Sequence, residues 1–182
     1  MKPKKSLQKK IVLTAVLTSG LLFSGYRSTD RIAVNTNNPD ADFAIEAASG
    51  GMMEVELGNV AITNGSFAGV KNFGKQMVAD HTKANEDLKA KVASKDISLP
   101  SAPDKGKQKM IADLKKKTGS DFDKAYIDMM VSDHKEDIAA FQKEVKQGKD
   151  QDIKAWAGGA LPTLQHHLQM AEDVQKQLKS PK

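Results

Sequence analysis

The sequence predicts an all-α protein, a bundle of four amphipathic helices with a long middle connection. Three observations predict it. No stretch of the 182 residues sustains the apolar–polar alternation of a half-buried strand. Four long segments instead repeat apolar residues three and four apart, as the buried face of a helix requires. Finally, Met77-Val78-Ala79-Asp80-His81 returns 53 positions on as Met130-Val131-Ser132-Asp133-His134, each with an aromatic four places upstream, Phe73 and Tyr126.

Residues 1–25 read as a signal peptide. Lys2, Lys4, Lys5, Lys9 and Lys10 precede an apolar run from Ile11 to Phe23, shorter than the roughly 20 residues of a membrane span. An uncleaved N-terminal anchor is the alternative. Phe23-Ser24-Gly25-Tyr26 has the form of a lipoprotein cleavage box with Tyr26 in place of the lipidated cysteine. The chain has no cysteine, which excludes lipid attachment by that route, disulfides and thiol chemistry. Residues 26–38 are polar and are expected to be a flexible linker ahead of a bundle domain at 39–180.

The first helix is expected from about Asp40 to Thr63, where Phe43, Ala47, Gly50, Glu54, Leu57 and Ala61 step 4, 3, 4, 3, 4. Asn64-Gly65 ends it, and Ser66 is positioned to cap the next. The second, from about Phe67 to Ala93, carries Val70, Met77, His81, Ala84 and Leu88 on one stripe. Leu99-Pro100-Ser101-Ala102-Pro103 breaks the chain, and a short amphipathic piece follows near Lys107–Lys116. The third, about Asp121 to Gln147, aligns Phe122, Tyr126, Met130, His134, Ile138, Phe141 and Val145. The fourth, about Asp150 to Leu178, aligns Ile153, Ala157, Ala160, Leu164, His167, Ala171, Val174 and Leu178. Pro162 falls inside it and is expected to kink it. The 94–120 connection is long enough to cross the length of a bundle, the ferritin-like arrangement of two hairpins.

Charge narrows the function. The chain is formally +5, but its five leader lysines face no acid, which leaves 23 basic residues against 23 acidic ones. The domain therefore has no basic excess for nucleic acid. The lysines of 105–117 read as a solvated face, with weak attraction to anionic surfaces as the alternative. No glycine-rich phosphate loop follows a strand. Glu54 and Glu56 point about 200° apart around a helix and cannot share a substrate. No catalytic machinery is readable.

Several strings together resemble a bacterial family catalogued as domain of unknown function 4142, in the ferritin-like superfamily. They are Gly51-Met52-Met53-Glu54-Val55-Glu56-Leu57-Gly58, Val70-Lys71-Asn72-Phe73-Gly74, and both Met-Val-x-Asp-His blocks with Thr82-Lys83-Ala84-Asn85 after the first. Phe122-Asp123-Lys124-Ala125-Tyr126 and Leu161-Pro162-Thr163-Leu164-x-x-His167-Leu168 complete the match, across roughly residues 40–175. The resemblance implies a fold and an exported location, the periplasm or cell envelope. It implies no chemistry.

One candidate metal ligand falls on each inward stripe: Glu54, His81, His134 and His167. Asp80, Asp133, Met77 and Met130 are expected around them. Counting 1.5 Å per residue from each hairpin turn separates Glu54 from His81, and His134 from His167, by about 7 Å in height. A di-iron site of the carboxylate-bridged kind needs Glu-x-x-His elements. Val78, Val131, Thr163 and Leu164 stand three places before the four histidines, so a transition metal such as copper or zinc is favoured over di-iron. The function expected is an envelope stress or accessory protein with a mid-bundle metal-binding cluster. The alternative is a structural or interaction module whose histidines are hydrogen-bonders in the core. Membrane contact is expected only through an uncleaved leader, and a homo-oligomer is a candidate assembly.

Overall fold

The structure, a computed structural model, describes residues 38–180. The expected signal peptide and nearly all of the linker lie outside the described residues. Five helices follow: α1 (Pro39–Asn64), α2 (Ala68–Val92), α3 (Lys105–Lys115), α4 (Gly119–Gln147) and α5 (Gln151–Lys179). There is no strand among the described residues.

Local chemistry sets most of the boundaries. Asn38 Oδ1 accepts from the amides of Asp40 and Ala41 at the start of α1, and Pro39 occupies the first turn where no amide donor is needed. Asp104 and Asp150 cap α3 and α5 in the same way. Gly119 opens α4 at φ +60°, a left-handed conformation that a side chain would strain. Ser66 does not cap α2. The capping residue is Phe67, without a side-chain bond, and Ser66 gives both its amide and its hydroxyl to Asp123.

α1 and α2 form one hairpin, and α4 and α5 the other; α2 packs on α5 and α1 on α4. α3 lies along α1. Its cap bonds Ser49 (3.0 Å), and Asn64, at the far end of α1, donates to the carbonyls of Lys115 and Lys117. The connection thus climbs the length of α1 before α4 descends, giving up-down-down-up connectivity with one long crossover. α5 runs on through Pro162, which stands on its exposed face.

The apolar core falls into two ends. One is built on Leu57, Phe73, Met77, Phe122, Tyr126, Ile127, Met130 and Ala171. The other combines Ala44, Ala48, Leu88 and Ile153 with Phe141, Ala157 and Leu164, and with the partly buried Phe43 and Trp156. Each large side chain removed from water contributes about 1.5–3 kcal/mol. α1 buries more than the expected seam: Ala44, Ala48, Gly51, Met53 and Gly58 are also covered, because α2, α3 and α4 surround it. Val145, expected on the inner face, is exposed, and Glu144 is buried instead. A strict seven-residue repeat drifts about 20° per heptad on a straight helix, so the stripe has rotated away by the end of α4.

Two buried aspartates tie the ends of the bundle. Asp123 receives the amides of Ser66 and Phe67 at the α1–α2 turn, while Asp40 receives those of Lys149 and Asp150 at the α4–α5 turn. Near the turn of the first hairpin, α1 and α2 approach closely. A Cβ on Gly58 would stand 2.6 Å from the Gly74 carbonyl oxygen and 2.9 Å from Val78. Gly58→Ala is therefore expected to destabilise by about 1–3 kcal/mol in urea unfolding. Gly159→Ala, whose Cβ meets nothing within 4 Å, is expected to stabilise by about 0.5–1 kcal/mol.

Candidate metal centre

Between the two apolar ends lies a polar layer to which each long helix contributes one residue: Glu54 from α1, His81 from α2, His134 from α4 and His167 from α5. All four are buried, His134 and His167 completely. The 7 Å height differences expected from residue counting do not separate the side chains. His81 Nδ1 is 2.8 Å from Glu54 Oε2, and His134 Nε2 is 3.4 Å from His167 Nδ1. Side chains tilt toward the N-terminus of their own helix. In an antiparallel pair those tilts are opposed, so residues a little over a turn apart in height lean toward one another.

Each imidazole has one nitrogen committed to the chain. His134 Nδ1 donates to the Met130 carbonyl at 3.1 Å, and His167 Nε2 donates to Asp80 Oδ2 at 2.7 Å. With Glu54 ionised, neutral His81 donates from Nδ1 to its carboxylate, which leaves Nε2 as a lone pair. That Nε2 is buried and has no hydrogen-bond partner. Three lone-pair nitrogens remain, His81 Nε2, His134 Nε2 and His167 Nδ1, on three different helices. One ring nitrogen from each of the three histidines lies within 4.8 Å of the other two. A carboxylate or carbonyl on the far nitrogen is the arrangement that orients metal-binding imidazoles.

Burial governs the electrostatics. It pushes the Glu54 carboxyl up to about 8, opposed by the charge of Lys107. Burial followed by the Glu54 charge raises Asp133 to about 7 and Asp137 to about 8. Burial and the neighbouring imidazoles hold His134 down at about 3. Burial lowers His167 to about 4 against the pull of Asp80, and it lowers His81 as well. Asp80 is less buried. Its partial burial works to raise it, but bonds from Gln76 and His167 leave it below the ordinary range. The layer favours neutral imidazoles, the form that binds metal.

The remaining expected residues fall differently. Asp80 reaches across from α2 to α5, whereas Asp133, at the matching position of the repeat, bonds no histidine and leaves Oδ2 buried without a partner. Met77 and Met130 lie in the larger apolar cluster, and only the Met130 carbonyl touches the layer. Asp137 was not singled out by sequence. It lies one turn after Asp133, and no apolar stripe marks it. A cavity of about 350 Å³ reaches the layer between the hairpins. Glu54, Asp80, His81 and His167 line its floor, and Phe141, Trp156 and Leu164 its walls.

The fold and site define a helical bundle with an interior three-histidine, carboxylate-supported cluster. The chain belongs to the family described as Domain of unknown function (DUF4142), whose model matches residues 28–174. No curated protein and no solved structure matches it.

The shifts fix the sign of a pH dependence. Folded Glu54, Asp133 and Asp137 hold protons that the unfolded chain releases, so their contribution is present in acid and lost as pH rises from about 4 to about 8. The imidazoles run the other way. They are neutral when folded, so stability falls as pH drops from 6.5 toward about 3. Chelator-treated protein is expected to be most stable at about pH 5–6 in urea titrations. Glu54→Gln is expected to flatten the limb above that optimum.

Proposed function

We propose that this protein is a transition-metal-binding bundle of the cell envelope, holding zinc or copper(II) through His81, His134 and His167. Glu54, Asp80 and the Met130 carbonyl fix the orientation of the three rings. The observation that carries this reading is the 3.4 Å separation of His134 Nε2 from His167 Nδ1, each the lone-pair nitrogen of a neutral ring that donates through its other nitrogen. Two nitrogens bound tetrahedrally at 2.0–2.1 Å stand about 3.3–3.4 Å apart. The unpartnered His81 Nε2 supports the same reading, since a buried polar atom left unbonded costs about 1–3 kcal/mol.

Three nitrogen ligands suit zinc and copper better than the hard ions, which prefer oxygen. Glu54 Oε1 is 3.5 Å from His134 Nε2 and is placed to complete a fourth position or to accept from a bound water. Export is supported by the lysine-rich start and the apolar run at residues 1–25. No described helix is long and apolar enough to cross a membrane.

A second reading, an uncharged polar network without metal, is favoured by one observation: every imidazole already has one bond to the chain. The two readings separate in one experiment. Purified protein incubated with zinc or copper(II) is expected to retain about one ion per chain after desalting. At a hundredfold excess over Kd, the ion is expected to stabilise the fold by about 2.7 kcal/mol in thermal unfolding. His134→Ala is expected to abolish both effects. If the metals change nothing while His134→Ala still lowers stability, the histidines are structural.

A further inference from the structure

A second set of ligand atoms adjoins the three histidines. Oxygens of Glu54 and Asp133 and a ring nitrogen of His134 lie within 4.8 Å of one another. Glu54 is 1% exposed, and while its Oε2 takes His81, its Oε1 is buried without a hydrogen-bond partner. Asp133 Oδ2 is buried without one too. Each carboxyl therefore keeps an uncommitted buried oxygen, and both carboxyls adjoin the same imidazole.

Asp133 also opens outward. It lines a second cavity, of about 310 Å³, enclosed by α1, α3 and α4, which meets the one between the hairpins at Ala47, Asp137 and Phe141. Glu46, Glu136 and Asp137 line it as well, against a single cation, Lys107. The Lys107 ammonium is held by Glu46 and by Asp104 at 2.8 Å. Asp133 thus joins this acid-lined cavity to Glu54 and His134. The cavity between the hairpins also reaches the layer, at Glu54, His81 and His167. Its Asp80 is bonded to both Gln76 and His167.

We propose that divalent cations reach the three histidines from the α3 side, resting on the way at a transit site formed by Glu54, Asp133 and His134. This rests on the metal-binding reading above. With His134 Nδ1 on a backbone carbonyl, its Nε2 is the only nitrogen it offers to either position, and one nitrogen cannot serve both at once. The shared residue makes the two positions successive: the ion leaves Asp133 as it gains His81 and His167. Lys107 opposes the ion at the mouth and moderates the passage.

Stopped-flow loading of the full chain with cobalt(II), followed by its visible absorbance, and stripping by a chelator test this. At pH 8, Asp133→Asn is expected to slow loading and stripping together by about tenfold or more, the scale of electrostatic steering, while Kd moves far less. A lost final ligand would instead speed stripping. Lys107→Met is expected to speed loading. Ala160→Leu, which fills the cavity between the hairpins, is expected to leave it unchanged. Native rates in Asp133→Asn, or slowing confined to Ala160→Leu, overturn the route while leaving the three-histidine centre intact. Failure of the native chain to bind cobalt(II) at equilibrium overturns the centre and the route with it.

Discussion

A buried imidazole has two nitrogens to satisfy and water for neither, and the middle of this bundle is arranged around that demand. Three rings and one carboxyl occupy a single level between two apolar ends. Desolvation is the first cause of every large shift in the layer, so the rings are held neutral and the deepest acids are held toward protonation. Neutral rings donate once. Each spends that proton outward, on Glu54, Asp80 or a carbonyl of its own helix, and turns a lone pair inward. Lone pairs converging in an apolar interior are unfavourable unless something positive is shared among them.

The bundle supplies this geometry cheaply because each helix contributes once. Antiparallel neighbours lean toward each other, which closes height differences that straight rods would leave open. α3 makes the surroundings asymmetric. By covering the groove between α1 and α4, it brings Lys107 beside Glu46, Asp133, Glu136 and Asp137. The two hairpins are alike in plan, yet only one groove is roofed.

Much of this was readable in advance, for physical reasons. Apolar stripes at helical spacing located four long helices to within a few residues, and Glu54, His81, His134 and His167 stood out because polar residues on such stripes demand partners. The repeat of Asp80-His81 in Asp133-His134 misled in one respect: matching letters suggested matching environments. Asp80 sits where α2 meets α5 and bonds His167; Asp133 sits on α4 facing α1 and bonds no imidazole. Environment is a property of the neighbours, which local sequence does not contain. Asp40, Asp123 and Asp137 went unnoticed for the same reason, since a buried acid on a polar flank has the same letter as a solvated one. The exposure of Val145 shows the limit of a rigid seven-residue count over a long helix.

Asp40 and Asp123 bear on how such a molecule yields. Each grips two amides of a turn on the opposite hairpin, so both mouths of the cylinder are laced shut. Unzipping from a tip would strand a buried carboxylate before freeing any of the interior. Opening that spares both mouths falls on the waist, where buried polar residues interrupt the hydrocarbon. That level is the one that holds the imidazoles.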